Sequence, residues 1–277
     1  MQKAIYYYML LLILLFIPFL THAQPIVNRS FDLEGKKIHT WEKPVVSKNS
    51  QGQSIPYKII SVRISEDKEN IKSPIPVILY LHGAGQRGND NEKQTTGGLP
   101  KLVESLISLH HSEFDIIAPQ CPIDMKWVDT DWSAASHEMQ DSILWTLELA
   151  KTALDQHLTL EHIDPTRVYL IGLSMGGFGV WELLQRYPNF FAAAIPICGG
   201  GDPAYAMNIA TTPIWAVHGR ADKVVLPDRS EEMVIATQLA GGYAQLDLLA
   251  EHGHDVWSYT FTNKAILKWL WQQQRRP

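Results

Sequence analysis

The sequence predicts an α/β fold: a doubly wound, mostly parallel sheet with helices on both faces. Three observations predict it. Six short apolar runs recur along the chain, "IPVILYLHG", "FDIIAPQ", "RVYLIGLS", "AAAIPICGG", "PIWAVHGRAD" and "AQLDLLAEHGH", each the length of a strand buried on both faces. Helix-compatible stretches separate them, and strand alternating with helix implies parallel pairing with right-handed crossovers. The third observation is the sharpest: "VYLIGLSMGGFGVW" passes from strand to helix through Gly172, Ser174, Gly176 and Gly177.

The elements follow in order. Lys3 precedes an uncharged apolar run from Ala4 to Leu20, and Thr21-His22-Ala23 places small residues where a signal peptidase reads. Residues 1–23 are therefore expected to be a signal peptide cleaved after Ala23, with secretion or a periplasmic location as the consequence. Pro18 and the Thr-x-Ala-Gln sequence argue against a retained membrane anchor, so none is expected after cleavage. The remaining residues, 24–277, suit one domain of ordinary size. Asn28 to Asn70 is the least regular region, and the alternating "YKIISVRIS" within it reads as early edge strands.

Beyond this point strand and helix alternate. "IPVILYLHG" leads into the loop "LHGAGQRGND", where Gly83 and Gly85 allow the backbone to approach a substrate. "FDIIAPQ" leads into "MKWVDTDWSA", followed by an expected helix from Ser133 to His157. After the serine turn, Val180, Trp181, Leu183 and Leu184 make an apolar helical face that Pro188 closes, and a further helix is expected over Arg229 to Gly241.

Such sheets bind ligands at the carboxyl ends of their strands, and there the chemistry-bearing residues collect. G-x-S-x-G at a strand-to-helix turn lifts a serine hydroxyl above the sheet edge. A phosphate loop at this turn lacks support, because there is no G-x-x-x-x-G-K-[ST] and the glycine spacing around Ser174 misses G-x-G-x-x-G. A serine nucleophile needs a base oriented by a third group. Asp222 follows one strand and His254 follows the next, giving Ser174, Asp222 and His254 in chain order. Asp202 and Asp228 lie near other strand ends, but "HGRADKVV" puts Asp222 directly after its strand. Of His252 and His254, the latter follows Gly253 and is the first free to turn back over the sheet. The oxyanion that develops on the attacked carbonyl needs preorganised donors, for which the amides of Met175 and Ala84 are expected. His82 reads as a structural loop histidine. Trp127, Trp132 and Trp257 lie where they would wall an acyl or aryl pocket.

"LHGAGQRGND", "DPTRVYLIGLSMGGFGVW", "PICGGGD", "HGRADKVV" and "GHDVW", in this order, resemble the α/β-hydrolase superfamily, and within it the bacterial phospholipase/carboxylesterase, dienelactone hydrolase-like or prolyl-oligopeptidase-like esterases. The resemblance spans about Tyr57 to the C-terminus. It implies the α/β-hydrolase fold and puts nucleophile, acid and base at Ser174, Asp222 and His254. It also implies a serine carboxylic-ester hydrolase working through a covalent acyl-enzyme, with acetyl or feruloyl esters of carbohydrates as candidate substrates. Two other readings stay open: a serine peptidase of prolyl-oligopeptidase type, and a carbohydrate-binding or scaffolding relative without activity.

Net charge is −5 with a pI near 6.1. With no basic stripe, neither nucleic acid nor an anionic membrane is an expected partner; a small-molecule or carbohydrate-linked ester is. No H-E-x-x-H or second ligand cluster occurs at metal spacing, so neither metal nor other cofactor is expected. Cys121 and Cys198 end different strands separated by two others, roughly 14 Å at about 4.8 Å per step, too far to bridge.

Overall fold

The computed structural model describes residues 27–33, 36–63, 74–109 and 113–275. The expected signal peptide and its cleavage site lie outside these residues. In chain order the elements are β1 (Val27–Leu33), β2 (Lys36–Lys48), β3 (Ser54–Arg63), β4 (Ile75–Leu81), α1 (Gly98–Ser108), β5 (Phe114–Pro119), α2 (Trp145–His157) and β6 (Ile163–Leu173). They continue with α3 (Met175–Arg186), β7 (Ala193–Ile197), α4 (Ala206–Ile209), β8 (Ile214–Gly219), α5 (Asp228–Leu239), β9 (Ala244–Leu249), α6 (Trp257–Thr262) and α7 (Lys264–Gln272). Among the described residues no helix is long and apolar enough to cross a membrane.

Among the described residues nine strands form one sheet in the order β1-β2-β3-β5-β4-β6-β7-β8-β9. β5, β4, β6, β7, β8 and β9 are parallel, and β1, β2 and β3 are antiparallel. Alternate residues of a strand face opposite layers, so each central strand feeds two cores. Val77, Leu79 and Leu81 pack with α2, α3 and α5 residues such as Leu154, Trp181 and Met233. Ile78 and Tyr80 pack with α1, α6 and α7 through Leu102, Phe261 and Leu267. That division is the doubly wound α/β-hydrolase arrangement the sequence predicts.

Three expectations need correction. Within the region Asn28 to Asn70, the described residues 28–33 and 36–63 are more regular than their composition suggests: β2 has 13 residues, and β3 sits inside the sheet between β2 and β5 rather than at its edge. Charge there is tolerated because the buried Lys58 ammonium meets Glu42 at 2.9 Å and Glu92 at 2.7 Å. The helix expected over Ser133 to His157 begins only at Trp145. Upstream of it the backbone is held by tertiary partners instead: the Met139 amide donates to the Asp202 carboxylate at 2.9 Å, and Arg186 donates to the Gln140 and Asp141 carbonyls. β9, read as buried, is half-buried because it closes the sheet edge. The two cysteines are free and buried, with β4 and β6 between the strands that carry them.

Candidate active site

Ser174 stands between β6 and α3 with φ 55° and ψ −120°, a left-handed conformation that is strained for a residue with a side chain. Close backbone packing explains the glycines around it. A Cβ on Gly176 would lie 2.0 Å from the Leu81 carbonyl oxygen, one on Gly172 2.4 Å from the Gly176 oxygen, and one on Gly177 2.5 Å from the Ile197 oxygen. The turn is further tied by the Ser174 amide, which donates to the Ile197 carbonyl at 2.8 Å.

Three loops at the carboxyl ends of β6, β8 and β9 then meet. Ser174 Oγ lies 2.8 Å from His254 Nε2, and His254 Nδ1 lies 2.7 Å from Asp222 Oδ2. Asp222 is buried, and its Oδ1 accepts the amides of Val224 (2.8 Å) and Val225 (3.1 Å). Burial alone would raise its pKa; hydrogen bonds from His218, His254 and those two amides outweigh it and hold the carboxyl well below its usual range, so it is ionised. An ionised acceptor on Nδ1 places the Nδ1 hydrogen there and leaves Nε2 free to accept from the serine hydroxyl. The alternatives are occupied elsewhere. Asp202 caps the short turn Pro203–Tyr205 and holds Met139, Asp228 is exposed at the start of α5, and His252 is exposed beside Tyr259.

The loop after β4 and the start of α3 present the two expected amide donors. Met175 is the first residue of α3, whose amide has no intrahelical partner. At Ala84 the peptide is oriented by buried groups. The Gly83 carbonyl accepts from His82 Nδ1 at 2.6 Å and from the Gln86 amide at 3.2 Å, and a trans peptide turns the Ala84 N–H to the opposite side. His82 Nε2 in turn accepts the Cys121 amide at 3.0 Å. Burial pushes the His82 pKa down to about 4, so the ring is neutral with its hydrogen on Nδ1. His82 is thus structural, as its loop position suggests.

A cavity of about 450 Å³ opens over Ser174 and His254, lined by Gly83, Ala84, Trp132, Leu173, Val224 and Trp257, among others. Trp132 and Trp257 are among its lining residues. Trp127 is not: it is fully buried, and its Nε1–H donates to the His82 carbonyl at 3.0 Å, so it braces the Ala84 loop from below. Sequence reading missed Gly97, Gly98 and Val224 among the lining residues. The pair "GG" at the start of α1 was the available signal for the first two, since a Cβ on Gly98 would fall 2.5 Å from the Phe261 ring.

Two groups of metal-ligand types that spacing does not reveal are gathered by the fold: Cys198 with His218 and Asp222, and Asp115 with His157 and His162. Each is tied within the protein. His157 Nε2 lies 2.8 Å from Asp115 Oδ2, Arg63 Nη1 lies 2.8 Å from Oδ1, and His218 Nε2 lies 3.2 Å from Asp222 Oδ2.

The chain is similar to several known proteins. The chain is 25% identical over 201 residues to a SOBER1-like carboxylesterase of Arabidopsis thaliana, covering 65% of this chain and 72% of that protein. It is 25% identical over 152 residues to an esterase-like protein, NocK, of Nocardia uniformis subsp. tsuyamanensis, covering 53% of this chain but spanning only 40% of that protein's length. A thermostable esterase of solved structure superposes with a TM-score of 0.74 at 25% identity, over 92% of this chain and 78% of that one. The model of the phospholipase/carboxylesterase family matches residues 64–264, most of the chain and every residue of the Ser174, Asp222 and His254 constellation, and the chain belongs to that family.

Proposed function

We propose that this protein is an exported serine carboxylic-ester hydrolase working through an acyl-enzyme on Ser174. The observation that carries the reading is the unbroken line of 2.8 Å and 2.7 Å contacts from Ser174 Oγ through His254 to Asp222 at the floor of the cavity. Ser174 Oγ attacks the ester carbonyl while His254 Nε2 takes its proton, and Asp222 stabilises the imidazolium that forms. The carbonyl oxygen, now negative, receives the Met175 and Ala84 amides, helped by the N-terminal end of α3. His254 returns the proton to the leaving alcohol, whose C–O bond breaks. A water deprotonated by the same ring then attacks the acyl-enzyme and releases the acid and free Ser174.

Trp132 and Trp257 support a substrate with an apolar acyl or aryl part, and acetyl and feruloyl esters of carbohydrates are the candidates. The test is a panel of acetyl, butyryl, long-acyl and feruloyl esters and a prolyl amide, offered to purified mature protein. Hydrolysis of acetyl or feruloyl esters with no amide cleavage is expected; preferential prolyl amide cleavage would replace the esterase reading with a peptidase one. For export, the N-terminal sequence of protein recovered from the periplasm or medium of a bacterial host is expected to begin at Gln24, and retention of Met1 in the cytosol counts against it.

A further inference from the structure

The proposed constellation has a fourth side chain behind it. His218 lies on β8 within the sheet, paired in register with Leu248 of β9, and its ring is completely buried. Its Nε2 is 3.2 Å from Asp222 Oδ2 and 3.0 Å from the Val225 carbonyl. Its Nδ1 is 2.8 Å from Ser230 Oγ on α5, and that hydroxyl lies 2.8 Å from the Gly199 carbonyl beyond β7.

Hydrogen-bond accounting assigns the direction that matters. Nε2 faces a carbonyl and an ionised carboxylate, both acceptors, so it donates. Nδ1 meets the Ser230 hydroxyl, which can both donate and accept and which also reaches the Gly199 carbonyl. His218 is therefore anchored through Ser230 to α5 and the β7 exit at one end and donates to the acid at the other.

Asp222 needs such an anchor. The two donors on its Oδ1, the Val224 and Val225 amides, belong to its own loop and move with it. The two donors on Oδ2 are His254, which must itself be positioned by Asp222, and His218. Of the four, His218 alone stands on a strand of the sheet; the buried Cys198 thiol, directly after β7, also faces the carboxylate. We propose that His218 is a positioning residue of this active site, fixing the Asp222 carboxylate so that His254 Nε2 stays aimed at Ser174. The inference rests on the serine hydrolase reading above.

Two substitutions separate positioning from core structure. The glutamine amide introduced by His218→Gln would set an N–H near the place of Nε2, serving Asp222. The shorter asparagine amide introduced by His218→Asn would set one near the place of Nδ1, serving Ser230 alone. Purified wild type, His218→Gln, His218→Asn and Ser174→Ala are assayed for kcat and KM on an aryl acetate, for labelling by a fluorophosphonate serine probe, and for thermal melting. The expected result is that His218→Asn loses about a hundredfold in kcat, the scale of a misplaced catalytic group, with KM within about twofold. His218→Gln is expected to keep kcat within about fivefold of wild type. Equal kcat for the two variants, or a change confined to KM, overturns the positioning role while leaving the hydrolase reading intact. Wild type that neither turns over nor labels at Ser174 overturns both. Should His218→Asn not fold, Ser230→Ala removes the hydroxyl that steadies Nδ1; a drop in kcat of about tenfold at constant KM supports the role, and an unchanged kcat overturns it.

Discussion

Two buried aspartates in this protein each sit between two histidines, at opposite ends of the same sheet. Asp222 follows β8 at the carboxyl end and meets His254 and His218. Asp115, the second residue of β5, lies toward the amino end and meets His157 at 2.8 Å and His162 at 3.5 Å. In both, burial raises the carboxyl pKa and hydrogen bonds overcome it, leaving each well below the usual range. The difference lies in what surrounds them. Asp115 is closed by the buried Arg63, which also donates to the Val62 and Phe114 carbonyls. Among the described residues no arginine or lysine pairs with Asp222, and its partner His254 leads out to a serine, two amide donors and a cavity. The same residue types therefore make a structural clamp at one end and a hydrogen-bonded line toward solvent at the other. Parallel strands place their loops, and hence an exit, at the carboxyl end.

The largest effect that tests this contrast is on Ser174. Ser174→Ala is expected to lower kcat on the order of a millionfold while leaving the melting temperature near wild type, since alanine keeps the Cβ that strains the turn. Residual turnover of more than a few per cent, in a preparation free of wild type, would show that the Asp222 network does not feed a covalent nucleophile. The histidines come next. His254→Ala is expected to cost at least about a thousandfold in kcat, with His252→Ala and His157→Ala far milder; a dead but folded His252→Ala would move the base.

At the other aspartate the expected loss is in stability rather than rate. Arg63→Ala leaves the Asp115 carboxylate buried without its cation and should destabilise by about 3–5 kcal/mol, read by urea unfolding, with kcat of the folded fraction unchanged. Because the Asp115 carboxyl is depressed below its ordinary 3.8, it contributes stability that is fully present above that pH. As pH falls below it, the unfolded chain takes up the proton first and the contribution drains away. Asp115→Asn should flatten that acid limb; an unaltered limb would mean that Asp115 is not the clamp described. The smallest effects separate the tryptophans. Trp127→Phe loses the bond to His82 and should cost about 1–3 kcal/mol of stability, whereas Trp132→Ala should raise KM several-fold at an unchanged melting temperature. Reversed outcomes would exchange their assignments.

Much of this molecule was legible in the sequence because its signals are local. The apolar runs at Ile75, Phe114, Val168, Ala193 and Ile214 mark strands whatever they pair with, since burial on both faces demands unbroken apolar character. The glycines at 172, 176 and 177 announce the turn at Ser174, because no other residue fits against the Leu81, Gly176 and Ile197 oxygens. Chain order and strand ends were enough to nominate Asp222 and His254.

What the sequence could not supply depends on partners distant in the chain. Residues 133–144 have helix-compatible composition, yet Asp202 and Arg186, 63 and 46 positions away from their bonding partners, satisfy that backbone outside a helix. Trp127 and Trp132 stand five residues apart in one loop, and only the placement of the His82 carbonyl sends the first into the core while the second faces the cavity. His218 and His157 look alike as isolated strand-end and helix-end histidines. Local periodicity and glycine sterics thus determined where the strands and the nucleophile lie. Which side chains share a carboxylate, and which of those open onto solvent, was decided by tertiary structure alone, because hydrogen bonds and burial are properties of groups brought together from separate elements.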